Sequence, residues 1–386
     1  MNVRLPTALV ALGLAAGLRA AEPLPAETIV VEALPPAEPH WIVVNDTNFL
    51  GYMDSKVYLF DAESGTMLGM LSTGGYRNAV ELAPDFSTIY SPETYYARGT
   101  RGARTDVVSF YDARTLESTG EVVIPPKRAT GMPHRAYSGI SDDGRFVFVA
   151  NMTPATSVSV VDTRNRTFVE EVDTAGCALA YATGARGFAS LCGDGTLLNV
   201  RLDDDGHVAA RAKSAVFFDA QDDPVTEKAA RLDDTWLFVS FAGWVHPVAF
   251  AGETATPREK WSLFQDADRV AEWKVGGLSF VAADQNTGEL YVIVHQGGAD
   301  THKDPGQQIW VYDATSHART RVIELVSPAA TVTLSRDAAT LLYTTSMDLP
   351  AVQVYDAATG EHLRTIEGPP FTPSFVQVPP RTKRGG

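Results

Sequence analysis

Phe60-Asp61-Ala62-Glu63-Ser64-Gly65 closes an apolar strand on an aromatic residue and an aspartate, turns on small residues, and opens a second strand. The phrase returns as Tyr111-Asp112-Ala113-Arg114-Thr115, Val161-Asp162-Thr163-Arg164-Asn165, Tyr312-Asp313-Ala314-Thr315 and Tyr355-Asp356-Ala357-Ala358-Thr359-Gly360. From Asp61 to Asp112 is 51 residues and Asp162 follows after 50; Asp313 comes 151 later and Asp356 after another 43. A gap of 151 is close to three periods, and two worn copies fill it. They are Leu202-Asp203-Asp204-Asp205-Gly206 and Phe250-Ala251-Gly252-Glu253, the second without its aspartate. Five clear copies and two worn ones make seven. The aspartate has a physical job, because its carboxylate accepts backbone N–H groups two residues on and so builds the turn.

A second signal precedes these anchors. Ser141-Asp142-Asp143-Gly144-Arg145 leads into a strand at 146–150, Ser335-Arg336-Asp337-Ala338 into one at 341–345, and Ala83-Pro84-Asp85 into the strand around Ile89. Each reads as a hairpin turn between two strands. Short strands in groups, repeated at about 50 residues, describe four-stranded blades set around an axis. The sequence therefore predicts an all-β fold, a seven-bladed β-propeller over residues 40–380, with a helical apolar period only near 267–273. The first strand, at 41–44, and the last, at 375–378, are expected to share one blade and close the ring.

Comparing blades locates insertions. The hairpin aspartate and the anchor aspartate stand 19 residues apart in two blades, Asp143 to Asp162 and Asp337 to Asp356. The interval grows to 27 between Asp85 and Asp112, with the extra length in 95–104, and to 29 between Asp284 and Asp313, in 296–308. Loops that outgrow their scaffold are where binding residues concentrate. Arg101 and Arg104 in the first insertion, and His302 and Lys303 in the second, are therefore candidate interface residues.

Composition narrows the function classes. The 386 residues carry 47 acidic and 32 basic side chains, a net charge of -15, which leaves no basic footprint for a nucleic acid. At 45% hydrophobic and 20% charged, the chain is globular rather than disordered or fibrous. Two cysteines exclude a zinc ribbon, an iron–sulfur cluster and a disulfide-dense scaffold.

Residues 1–21 read as a secretory signal peptide. Asn2-Val3-Arg4 is a positive start, an apolar run follows at 7–17, and Ala20 and Ala21 are small residues at the cleavage end. The run is too short for a membrane span, and no other apolar stretch approaches 18 residues. Residues 22–39, rich in Pro, Ala and Glu, read as a flexible N-terminal arm, and 381–386 as a tail. Export places the cysteines in an oxidising compartment, so Cys177 and Cys192, which bracket one hairpin, are expected to form a disulfide. Closing a loop of about 15 residues is worth roughly 3 kcal/mol in the chain-entropy model.

Motifs for chemistry are missing. The chain holds no P-loop, G-x-G-x-x-G, H-E-x-x-H or G-x-S-x-G. His295 and His302 are the closest useful pair among eight histidines, and two imidazoles without a third placed ligand do not make a metal site. Asp203-Asp204-Asp205-Gly206 opens like a calcium loop but lacks the later ligands, and reads as a turn. Neither a catalytic residue nor a metal site is expected in this chain.

Further phrases recur in a telling order. They are Val44-Asn45-Asp46-Thr47-Asn48-Phe49, Phe60-Asp61 with Leu68-Gly69-Met70, residues 100–108, Pro125-Pro126-Lys127-Arg128 and Pro154-Ala155-Thr156-Ser157. Gly176-Cys177, Cys192-Gly193-Asp194-Gly195, Trp273-Lys274-Val275-Gly276-Gly277, Thr301-His302-Lys303, residues 309–313 and 363–368 follow. In this order and spacing the chain resembles the heavy subunit of the quinoprotein amine dehydrogenases, the aromatic (aralkyl) amine branch more closely than the methylamine branch.

The resemblance implies a periplasmic assembly of two heavy and two light subunits. The light subunit would carry tryptophan tryptophylquinone, built from two of its own tryptophans, and a primary amine would be oxidised to aldehyde and ammonia. Electrons would pass to a small blue-copper protein of the amicyanin or azurin kind. The present chain is too long and too poor in cysteine to be that light subunit. The resemblance also aligns Phe49 with a phenylalanine that lines the substrate channel where the subunits meet. A stand-alone periplasmic propeller, acting as a binding module or a lactonase-like enzyme, is the second reading, because this fold hosts many functions.

Overall fold

The computed structural model describes residues 32–380 apart from 50, 52, 77, 78, 132, 251–253, 347 and 369. The expected signal peptide, most of the arm and the tail lie outside the described residues. No helix among the described residues is long and apolar enough to cross a membrane.

The body that begins at Ala33 is built from seven antiparallel sheets, each a simple meander from an innermost to an outermost strand. Blade 1 joins the two ends of the chain. Its innermost strand is Pro373–Gln377, followed outward by Trp41–Asp46, Lys56–Asp61 and Met67–Ser72. Blade 2 holds Glu81–Leu82, Thr88–Arg98, Arg101–Asp112 and Ser118–Ile124. Blade 3 runs from Ser138–Ile140 to Thr167–Asp173, and blade 4 from Cys177–Ala182 to Val208–Lys213. Blade 5 starts at Val225–Leu232, blade 6 has Val281–Ala283 inside and Arg319–Ala329 outside, and blade 7 runs from Thr331–Leu334 to His362–Glu367. Seven blades and the closure of the ring by the terminal strands agree with the sequence reading.

The recurring aspartate explains the outer hairpin of six blades. Asp61, Asp112, Asp162, Asp313 and Asp356 each end a third strand, and Asp203 directly follows one. Asp112 Oδ1 accepts the N–H groups of Arg114 and Thr115 at 2.8 and 2.9 Å, and Asp162 Oδ1 those of Arg164 and Asn165 at 2.9 and 3.0 Å. The register slips just before the aspartate in these six blades, between Phe110 and Tyr111 in blade 2 for example. Such a bulge tightens the twist that each blade needs to stand against the next. Blade 5, whose copy lacks the aspartate, has no slip on the pairs it forms there, and residues 251–253 lie outside the described ones.

Between neighbouring sheets the strands' alternating apolar side chains form the core. Phe146, Phe148, Val158, Val160, Phe188 and Val200 fill the space between blades 3 and 4, for instance. The expected helical period is real but short, a helix at Asp266–Val270 whose first turn is closed by the Asp268 carboxylate accepting the Gln265 N–H. Meander topology sorts the connections onto two faces. The lower face carries the first-to-second and third-to-fourth hairpins, including every anchor aspartate; the upper face carries the second-to-third loops and the crossings between blades.

Candidate functional site

All the candidate residues fall on the upper face. Phe49 follows Trp41–Asp46 in the second-to-third loop of blade 1, and Arg101 and Arg104 stand in the same loop of blade 2. His302 and Lys303 occupy that position in blade 6. Cys177 and Cys192 face each other across the upper ends of the two inner strands of blade 4, with Sγ atoms 2.03 Å apart. Insertions in a propeller that lengthen only one face mark that face as the working one.

Around Phe49 the organising group is Asp46, which is buried at the end of its strand. Its Oδ1 accepts the Asn48 N–H at 2.9 Å, the Thr372 N–H at 3.1 Å and the Thr372 hydroxyl at 3.0 Å; Oδ2 accepts the Phe371 N–H at 2.7 Å. Thr372 in turn receives the Phe49 N–H on its Oγ1 at 3.2 Å. One carboxylate thus ties the turn bearing Phe49, half-buried, to the crossing that bears Phe371, 72% exposed. Beside it Asn45, also buried, donates to Gln377 Oε1 at 2.8 Å and accepts the Val80 N–H at 3.1 Å, locking the closing strand to blade 2.

Blade 2 rises above its neighbours as a hairpin of Thr88–Arg98 and Arg101–Asp112. Its root is a buried ionic knot. Arg104 grips Asp106 with two parallel bonds of 2.8 and 2.7 Å, and Asp106 also accepts the Thr94 hydroxyl and the Arg128 N–H. The Arg128 guanidinium, 2% exposed, bonds Thr94 Oγ1 and the carbonyl of Tyr76. Bidentate pairing of this kind fixes orientation as well as charge. Arg104, picked out by its loop, therefore braces the insertion, while Arg98 and Arg101 stand exposed near the tip.

In blade 6 the loop of His302 lies flat because Gly276-Gly277 leave room for it. A Cβ on Gly276 would meet His295 at 2.5 Å and the Asp304 carbonyl at 2.6 Å, and Gly277 has φ 123° with its N–H on the His302 carbonyl at 3.1 Å. The two histidines take separate structural roles. His295 Nε2 bonds Thr301 Oγ1 at 2.9 Å, and the His302 ring sits edge-on to Phe241 at 4.4 Å. Burial lowers the pKa of both, and for His302 the Lys228 and Lys303 charges add to it.

The seven inner strands line an axial cavity of about 520 Å³. Glu227, with φ 58° at a bulge of its strand, presents a carboxylate there to Lys228 Nζ at 2.8 Å and to His134 Nε2 at 3.6 Å. The Ala136 N–H donates to His134 Nδ1, so the ring proton sits on Nε2 and faces Glu227. Burial raises the Glu227 carboxyl, but His134 and Lys228 outweigh it and hold it below its usual value. Across the channel Glu81 accepts Arg135 at 2.9 Å and Ser138 at 2.7 Å. Asp46 and Arg128 stood in the sequence only inside phrases of the resemblance and Glu227 in none, because each owes its role to partners far along the chain. Among the described residues no cluster of three His, Cys, Asp or Glu could hold a metal ion. Trp273 and Trp310 touch at 5.0 Å, but Trp310 is buried, donates to Gln308 and carries the Arg319 guanidinium at 3.9 Å over its ring, which makes it a packing residue.

Known proteins bear on this face. Among solved structures, a dihydro-heme d1 dehydrogenase superposes with a TM-score of 0.58 at 16% identity, over 93% of this chain and 80% of its own. A functionally unknown protein from Desulfotomaculum acetoxidans gives 0.59 at 10%, over 88% and 98%. At these identities the likeness is one of fold. Sequence relatives reach further. The methylamine dehydrogenase heavy chain of Methylophilus methylotrophus is 27% identical over 87% of this chain and 82% of its own length. Those of Paracoccus versutus and Methylorubrum extorquens are 26% and 24% identical, over 88% and 81% of this chain and 79% and 76% of their own lengths. The family model described as methylamine dehydrogenase heavy chain matches residues 39–377, from the start of blade 1 to the end of the closing strand. The chain therefore belongs to the methylamine dehydrogenase heavy chain family.

Proposed function

We propose that this protein is the heavy subunit of a periplasmic amine dehydrogenase, assembled as two heavy and two light subunits, which oxidises a primary amine to aldehyde and ammonia. Family membership over residues 39–377 is the observation that carries the reading. The gathering of Phe49, both insertions and the cysteine pair on one face supports it, since a subunit that scaffolds a partner needs one built face. In this reading tryptophan tryptophylquinone on the light subunit accepts the electrons of the amine, and a blue-copper protein takes them onward. The present chain shapes the passage to that group. Phe49 walls it, on a turn that Asp46 holds rigid.

Purification of the exported chain from its native host tests the reading. A short, cysteine-rich partner with quinone absorption should co-purify in equal amount; a lone, colourless propeller would contradict it and favour the stand-alone reading.

A further inference from the structure

The two ends of the axial cavity are built differently. At the lower end Arg231 grips Asp142 with bonds of 2.6 and 2.8 Å, and its Nε–H goes to the Asp233 carbonyl at 2.8 Å. That pair satisfies itself. At the upper end the pairing is unfinished. Glu81, 3% exposed, takes both Arg135 and Ser138 on Oε1, and its Oε2 accepts nothing among the described residues. Arg135 donates there through Nη1 alone. Glu227 meets Lys228 through Oε1, which leaves its own Oε2 open. The His134 Nε2–H, 3.6 Å from Glu227, is beyond hydrogen-bond length and is buried without an acceptor among the described residues. His302, on whose charge Lys228 and Glu227 both act, adds a second buried ring nitrogen without a partner there, Nδ1.

Buried donors and acceptors that a fold leaves open call for an occupant. The backbone of Glu227 points the same way. Its φ of 58° is a left-handed conformation that glutamate seldom adopts, and the Tyr181 hydroxyl holds it there by donating to its carbonyl. Strain of that kind gathers where a side chain must be aimed at a ligand.

Charge and wall decide the class of ligand. Two carboxylates, Glu81 and Glu227, face two cations, Arg135 and Lys228, so an ion of either sign would add an unbalanced charge in a site largely out of water. A zwitterion adds none. Below these groups the cavity wall is apolar, made by Leu82, Ile140, Ala180, Val281 and Val332. Its volume of about 520 Å³ is that of a small-molecule site.

We propose that the axial cavity binds an α-amino acid with an apolar side chain. The ammonium group meets the open oxygens of Glu227 and Glu81. The carboxylate takes the open N–H groups of His134 and Arg135, and the side chain descends along the apolar wall.

Equilibrium dialysis tests this on the full chain, purified from its native host with any partner it retains, against radiolabelled L-leucine and L-phenylalanine. At least one should be retained at one per chain, with a dissociation constant below about 1 mM. The matching acid without the ammonium group (isocaproate or hydrocinnamate) should compete about tenfold less well than the amino acid itself. So should the matching amine without the carboxylate (isoamylamine or phenethylamine). Glu227→Gln should weaken retention about tenfold. Ala282→Leu, which narrows the cavity at a partly buried position and touches no charged group, should weaken it as well. The wild-type competition decides the matter even where a variant fails to fold. Retention of neither amino acid would overturn the proposal and leave the open groups to water. Equal competition by the acid would make this an anion site, and by the amine a cation site; either would overturn it. Folded variants that both retain the amino acid as the wild type does would place it elsewhere, which overturns the proposal too.

Discussion

Asp46 accepts the backbone N–H of Phe371 at 2.7 Å, across 325 residues of sequence. The bond exists because the closing strand Pro373–Gln377 lies beside Trp41–Asp46 in blade 1, so the last crossing of the ring ends on the first loop. A buried carboxylate that serves two N–H groups and a hydroxyl on that crossing is a clasp as well as a local turn.

Removing the clasp should be costly. Asp46→Ala leaves the part-buried Phe371 and Thr372 N–H groups without their acceptor, and each orphaned donor costs up to about 1–3 kcal/mol. Urea unfolding should show a loss of about 2–4 kcal/mol. Asp46→Asn, which keeps acceptor oxygen but not the charge, should lose less. Equal stability of Asp46→Ala and wild type would show that the clasp contributes nothing.

Blade 2 offers a second check. Arg128→Met removes the cation that holds the Tyr76 carbonyl and Thr94. A loss of about 2–4 kcal/mol is expected for leaving buried acceptors without that donor. Amide exchange should quicken in the hairpin root, at residues 94 and 104–106, before it changes in blades 4 and 5.

Acid sensitivity follows from the histidines. His246 and His295 are 3% and 7% exposed, and burial lowers the pKa of both, with Lys260 and Lys274 adding to the effect. With folded pKa values below the unfolded 6.5, the unfolded chain binds protons first as the pH falls. Their contribution is therefore present above about pH 6.5 and is lost as pH falls through the folded values. The anchor carboxylates Asp61, Asp112, Asp203, Asp313 and Asp356 are lowered too, and theirs is lost only below about pH 4. The urea midpoint should thus drop between pH 7 and pH 5, and His246→Gln should flatten that slope; an unchanged slope would remove His246 from the account.

Phe49 can be separated from packing. In the assembled complex Phe49→Ala should change the order of kcat/KM among amines, by about tenfold in the ratio of bulky to small, since a methylene of fit is worth about 1–3 kcal/mol. A uniform loss for every amine would make Phe49 a packing residue.

The fold was legible because its signal is local and repeated. An aspartate after an apolar residue builds its own turn within three residues, and five clear copies are enough to set the period and expose the worn ones at Leu202 and Phe250. The upper face was legible only in outline. Loop lengths located Arg101, Arg104, His302 and Lys303, but Arg104 proved to be a brace, because Asp106 lies opposite Thr94 on the partner strand and the knot closes only when Arg128 arrives from blade 3's approach. Phe371, in Phe371-Thr372-Pro373, lies just before the strand expected at 375–378, and nothing in the sequence singled it out. Its exposure depends on ring closure with residue 46, which no local pattern encodes.

Amine-dependent reduction of an artificial electron acceptor, measured on the purified heavy chain alone and after adding light subunit, tests the central claim most directly. The account predicts no turnover by the heavy chain alone and turnover that saturates at one light subunit per heavy chain. Turnover by the rigorously purified single chain, or light-subunit activity indifferent to its presence, would contradict it.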